Sequence, residues 1–122
     1  DEETMQMLKH RITLKDAKAM VAYTQHLLRS FPPKDDKVVE LLLEASELGS
    51  PEAAGTLAFF YEEGRGVSVC RKKFNEYLQL AAVRGSVFAQ HTLANEEMDR
   101  GNYETALFWR ETAAKMGEMT RL

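Results

Sequence analysis

Apolar residues recur at intervals of three and four along the chain, as in Val38, Leu41, Leu42 and Ala45. That period belongs to helices with one buried face. Alternating runs of β-branched residues, the mark of strands, are absent from the sequence. Pro32, Pro33 and Pro51 all stand beside expected helix ends. The pattern therefore predicts an all-α chain, with helices over about 14–30, 37–48, 51–63, 71–84, 86–99 and 103–116. A further short helix over residues 3–12, built on Met5, Leu8 and Ile12, is expected to cap the first pair or to form a half-repeat.

The helices repeat. "LLLEASELG" ends at Gly49, "YLQLAAVRG" at Gly85 and "WRETAAKMG" at Gly117, so the glycines stand 36 and then 32 residues apart. Four residues before each glycine comes Ala45, Ala81 or Ala113, and three before it Ser46, Ala82 or Ala114. Eight before it comes Leu41, Tyr77 or Trp109. Adjacent small residues let a neighbouring helix approach, the large residue fills the space beside them, and the glycine suits a left-handed helix cap. After Gly49 come Ala53, Leu57 and Ala58; after Gly85, at the same offsets, come Ala89, Leu93 and Ala94. Counting back 36 residues from Gly49 reaches Thr13, and the same offsets then fall on Ala17, Val21 and Ala22. The unit is a helix pair, an A helix after the glycine and a B helix ending at the next one. One domain, 1–122, is expected: a cap or half-repeat over 1–13, repeats over 14–49, 50–85 and 86–117, and a tail over 118–122.

This pattern resembles the Sel1-like repeat, a relative of the tetratricopeptide repeat. The second copy carries Ala53, Leu57, Ala58, Tyr61, Gly64, Gly66, Val67, Phe74, Tyr77, Ala81, Ala82 and Gly85, and the third Ala89, Leu93, Ala94, Gly101, Asn102, Ala106, Trp109, Ala113, Ala114 and Gly117. Ala58 and Ala94 replace the family's usual Gly, Phe74 replaces its Ala, Cys70 its Asp, and Glu97 stands in the region of its Tyr. The first copy lacks the Gly-x-Gly-Val turn. The resemblance implies an α-solenoid of about three helix pairs in a right-handed superhelix, serving as an adaptor or scaffold for protein complexes. Family members that bind or hydrolyse β-lactams carry a Cys pair in each repeat; this chain has a single cysteine. An enzymatic or small-molecule-binding role is therefore the disfavoured alternative.

A chain of 122 residues with a formal net charge of −3 suits one self-sufficient core and gives no general attraction to nucleic acid or anionic membranes. One cysteine cannot form an intrachain disulfide, and no apolar run reaches the length of a membrane span. The start, DEETMQ, lacks a signal-peptide core and an initiator Met, as expected of a processed chain or a portion of a longer one. The compartment stays open.

Chemistry is sparse. His10, His26 and His91 are scattered without a metal-binding spacing, and no nucleophile–base pair stands at an arguable distance, so no catalytic residue, metal or cofactor is expected. The stretch "YEEGRGVSVCRKKF" holds Gly64 and Gly66 after a helix rather than a strand, which reads as a turn and not as a phosphate loop. Cys70 falls at a helix N-cap beside Arg71, Lys72 and Lys73, where a thiol caps poorly, and the basic run reads as a solvated face. Trp109 reads as core. If the A helices line the concave face, as the resemblance implies, their exposed positions are Asp16, Ala19, Tyr23 and His26, then Glu52, Gly55, Phe59 and Glu62, then Phe88, His91, Asn95, Met98 and Asp99. Of these, Tyr23, His26, Glu52, Phe59, Glu62, Phe88, His91, Asn95 and Asp99 are the expected partner-binding residues, with Tyr23, Phe59 and Asn95 in equivalent places. Aromatic anchors among carboxylates suit a protein or peptide partner with a basic segment. An oligomer or larger complex through the C-terminal end is also expected, because the last B helix has no following repeat to cover it.

Overall fold

The computed structural model describes residues 1–30 and 32–121, the side chains of 118–121 excepted. Among the described residues seven helices follow one another: α1 (Glu2–Thr13), α2 (Ala17–Arg29), α3 (Asp35–Glu47), α4 (Pro51–Glu63), α5 (Arg71–Val83), α6 (Val87–Asp99) and α7 (Tyr103–Arg121). Each packs on the next in chain order, giving an all-α solenoid in which α2, α4 and α6 are A helices and α3, α5 and α7 are B helices.

The passage from a B helix to an A helix is built the same way each time. Gly49 and Gly85 adopt φ of 102° and 104°. The Gly49 N–H donates to the Ser46 carbonyl at 3.0 Å and the Ser50 N–H to the Ala45 carbonyl at 3.1 Å; Gly85 and Ser86 repeat this on Ala82 and Ala81 at 3.1 and 2.9 Å. The serine then caps the next helix, Ser50 Oγ accepting from Ala53 N–H at 3.1 Å and Ser86 Oγ from Ala89 N–H at 3.2 Å. Between α1 and α2 the same turn appears with Lys15 at φ 63° and Asp16 as the capping residue. Leu14 to Asp16 therefore interrupt the helix expected from residue 14.

Gly117 departs from expectation. It lies inside α7, which continues to Arg121. The difference is local: Gly49 and Gly85 are each followed by a capping serine, whereas Gly117 is followed by Glu118 and Met119, good helix formers. The residues expected as a tail are thus helical as far as 121, with Leu122 outside the described residues.

Two buried clusters meet on α4. One joins Met20 and Leu27 of α2, Leu42 of α3, and Ala53, Leu57 and Phe60 of α4. The other joins Ala54 and Ala58 of α4 with Phe74, Leu78 and Ala82 of α5 and Leu93 of α6. A helix covered on both sides needs small residues, and Ala53, Ala54, Gly55 and Ala58 supply them; a Cβ on Gly55 would sit 3.8 Å from that of Ala81. Polar staples also cross the repeats. Arg84 Nη1 donates to the Ser46 carbonyl at 2.6 Å, and the buried Gln90 Nε2 donates to the Ala82 carbonyl at 2.9 Å. Trp109 is half-buried against the second cluster rather than enclosed by it, so its status as core is only partial.

Candidate partner-binding face

The turn from α4 to α5 sets up the face beside it. Gly64 and Gly66 take φ of 76° and 67°, and a Cβ on Gly66 would come within 2.9 Å of the Asp35 carbonyl oxygen. Only glycine allows both the backbone angle and that approach to α3. Arg65 then reaches Asp35 at 3.1 Å and lies over the Phe60 ring at 4.9 Å. The loop delivers Arg71 to the start of α5, between the A helices.

There, Arg71 Nη2 donates to Glu96 Oε1 of α6 at 2.9 Å, and Nη1 lies 3.7 Å from Glu62 Oε2 of α4. Its guanidinium sits 4.6 Å from the centre of the Phe74 ring. Next to this clamp the Phe59 and Phe88 rings of α4 and α6 meet at 5.4 Å, with Phe74 6.5 Å from Phe59. Phe59 is half-buried, whereas Phe88 leaves 62% of its surface in water. The two helices carry Glu52, Glu62, Glu63, Glu96, Glu97 and Asp99 and no Lys or Arg. Arg71 reaches Glu62 and Glu96, and Arg100 pairs with Glu97 at 3.1 Å. An aromatic shelf of mutually tilted rings, bordered by carboxylates, results.

The expected residues divide into two groups. Glu52, Phe59, Glu62, Phe88, His91, Asn95, Met98 and Asp99 stand on α4 and α6, all at least partly exposed. Tyr23 and His26 do not join them. Tyr23 lines a cavity of about 260 Å³ between α1, α2 and α3 with Ile12, Lys37, Glu40 and Leu41, and its ring lies 5.9 Å from that of His26. His26 is exposed as expected, whereas Ala19 and Gly55, expected to be exposed, are buried. The cause in the first repeat is register. The capping residues Asp16, Ser50 and Ser86 are 34 and then 36 residues apart, so counting back 36 misplaces α2 by two positions. Ala22, expected beside a neighbouring helix, is consequently exposed, and Thr24 is buried in its stead. The residue of α2 that corresponds to Phe59 is Gln25, not Tyr23.

Sequence reasoning missed Arg71 and Glu96. Lys72 and Lys73 are exposed as expected of a solvated run, but Arg71 is engaged. The available signal was its place as the first residue of α5, next to the ends of both A helices. Cys70 is the N-cap of α5 and makes no capping hydrogen bond with its side chain. Tyr61 and Tyr77 stack at 5.7 Å with planes 5° apart. Burial first, and the neighbouring Tyr61 second, push the Tyr77 phenol above its ordinary range. Among the described residues no group of three or more His, Cys, Asp and Glu is placed to hold a metal ion, and no helix is long and apolar enough to cross a membrane.

No protein-family model matches the chain, and neither does any curated protein. Solved structures do. The chain is similar to a Sel1 repeat protein from Oxalobacter formigenes, with a TM-score of 0.76 and 19% identity over 90% of this chain and 88% of that one. It is also similar to a protective antigen present in uropathogenic Escherichia coli strains that displays an SLR fold, with a TM-score of 0.78 and 23% identity. That match covers 93% of this chain and 26% of the antigen, so the present helices correspond to about a quarter of its length. The fold is that of Sel1-like repeat proteins.

Proposed function

We propose that the chain is a non-enzymatic interaction module that holds a basic segment of a partner protein across the exposed face of α4 and α6. The observation that carries this reading is the Phe59–Phe88 shelf, open to water at Phe88 and set on two helices that hold six carboxylates and no Lys or Arg. Exposed aromatic anchors supply most of the affinity of such surfaces, and surrounding carboxylates select the sign of the partner. An open shelf suits an extended or helical segment better than a small molecule, which needs a concave site that buries most of its surface. Shared fold with Sel1-like repeat proteins supports an interaction role by analogy alone.

Binding of an array of short basic peptides bearing apolar side chains, set against a charge-reversed array, tests the reading. Retention of the basic array, lost in Phe88→Ala and in Glu62→Lys, supports it. Equal retention of both arrays, or binding that survives both substitutions, removes this face from consideration.

A further inference from the structure

The outer face of α7 differs from that of the other B helices, most sharply at Arg110. Counted seven residues back from Lys15, Gly49, Gly85 and Gly117, Leu8 of α1, Leu42 of α3 and Leu78 of α5 correspond to one another and to Arg110 of α7. Leu42 and Leu78 are fully buried, and Leu78 and Ala82 pack with Ala89 and Leu93 of the following A helix. In α7 the counterparts of that contact, Arg110 and Ala114, are exposed. Alongside them lie Tyr103 and Leu107, 67% and 57% exposed, where α5 has Arg71 and Asn75. Residues 103, 107, 110, 111 and 114 follow one helical stripe. It is apolar along its centre, with Arg110 on one flank and Glu111 on the other. The helix also runs on through Gly117, without the turn that sends α3 and α5 into the next A helix.

An ordinary repeat contact on this stripe would press Arg110 into an apolar surface, which is costly unless a carboxylate meets it. The stripe carries that carboxylate itself. When two such helices lie parallel about a two-fold axis, opposite flanks face each other at equal height. Arg110 of each copy then meets Glu111 of the other, twice over, while Tyr103, Leu107 and Ala114 close along the centre. We infer that a second copy of this chain covers α7, in a parallel two-fold pair. One helix pair lies at the small end of specific interfaces, so the dimer is weak and depends on concentration.

Sedimentation of the whole chain over a wide concentration range tests this, with far-ultraviolet circular dichroism confirming that each variant stays helical. The expected result is a reversible monomer–dimer equilibrium. Leu107→Glu abolishes it, Arg110→Glu and Glu111→Arg each weaken it roughly tenfold or more, and the double exchange Arg110→Glu with Glu111→Arg restores it. A monomer at every concentration, a dimer indifferent to Leu107→Glu, or a double exchange no tighter than either single variant overturns the inference. Failure here leaves the peptide-binding reading of α4 and α6 untouched, because the two surfaces share no residue.

Discussion

The solenoid makes two kinds of connection, and they behave differently. From α3 to α4 and from α5 to α6 the chain spends three residues and one hydrogen-bond pattern, and α1 to α2 copies it with Lys15 in the glycine's place. From A helix to B helix the connection is five residues, then seven, then three, at 30–34, 64–70 and 100–102, and only the last repeats the constant pattern, Gly101 N–H donating to the Met98 carbonyl and Asn102 N–H to that of Glu97. The five helices α2 to α6 are all 13 residues long. The whole variation in repeat length therefore lies in the A-to-B loops. The constant turn sets how neighbouring repeats stack. The variable loop is free to carry particular residues, and in the second repeat it delivers Arg71 to the acidic end of the A-helix face.

The difference between the two kinds of connection is largest at Gly66. Its Cβ would meet the Asp35 carbonyl oxygen at 2.9 Å and Val39 at 3.0 Å, whereas a Cβ on Gly101, also at positive φ, meets nothing within 4 Å. Gly66→Ala should cost about 3 kcal/mol, from the backbone angle plus the clash, and Gly101→Ala about 1 kcal/mol, from the angle alone. Urea unfolding midpoints measure both; equal losses would mean that the long loop is not pressed against α3.

Capping comes next. Ser50 caps α4, while Cys70 leaves α5 uncapped. Ser50→Ala should lose about 1 kcal/mol and Cys70→Asp should gain a similar amount, since a carboxylate both accepts from the first-turn N–H groups and faces the positive helix end. Thermal melts of the two variants should move in opposite directions. Smaller again is Lys15→Gly. Relief of the left-handed backbone, offset by a more flexible unfolded chain, should stabilise the fold by about 0.5 kcal/mol, against the loss of an exposed ion pair with Glu44 that contributes little.

The subtlest effect concerns the stacked tyrosines. Tyr77 has a raised phenol pKa, so the folded chain holds that proton more tightly than the unfolded chain does. Its contribution to stability is complete below the ordinary tyrosine range near 10 and is lost as pH rises through the higher folded value. Tyr61→Phe removes one of the two leading causes, and an ultraviolet titration should then show Tyr77 ionising at lower pH. An unchanged titration would assign the shift to burial and to the neighbouring Glu76 and Glu47 carboxylates.

Much of this was legible in the chain itself. Gly49 and Gly85, each followed by serine, mark the constant turns, and Ala45–Ser46 and Ala81–Ala82 mark the small-residue contacts between helices. Helix type and order follow from these, since glycine at positive φ and a side-chain cap are local requirements that sequence states directly. The first repeat was misread for a physical reason. Lys15 hides its turn, because a lysine can be forced into the glycine's conformation by the hydrogen bonds on either side. Without that marker, the 36-residue count was carried back into a repeat whose A-to-B loop is two residues shorter, and Tyr23 was placed beside Phe59 in consequence. Of the Arg71–Glu62–Glu96 clamp only the place of Arg71 at the start of α5 was legible, because its partners depend on how three helix ends converge in space.

The central claim is that the α4–α6 face selects basic segments through its aromatic shelf. Titration calorimetry with one basic peptide retained from the array, run on the parent chain and on Phe88→Ala, Glu62→Lys and Tyr23→Ala, tests it most directly. The first two variants should weaken binding roughly tenfold or more, while Tyr23→Ala, in the cavity between α1, α2 and α3, should leave it unchanged. Affinity lost with Tyr23→Ala but retained in Phe88→Ala and Glu62→Lys would contradict it.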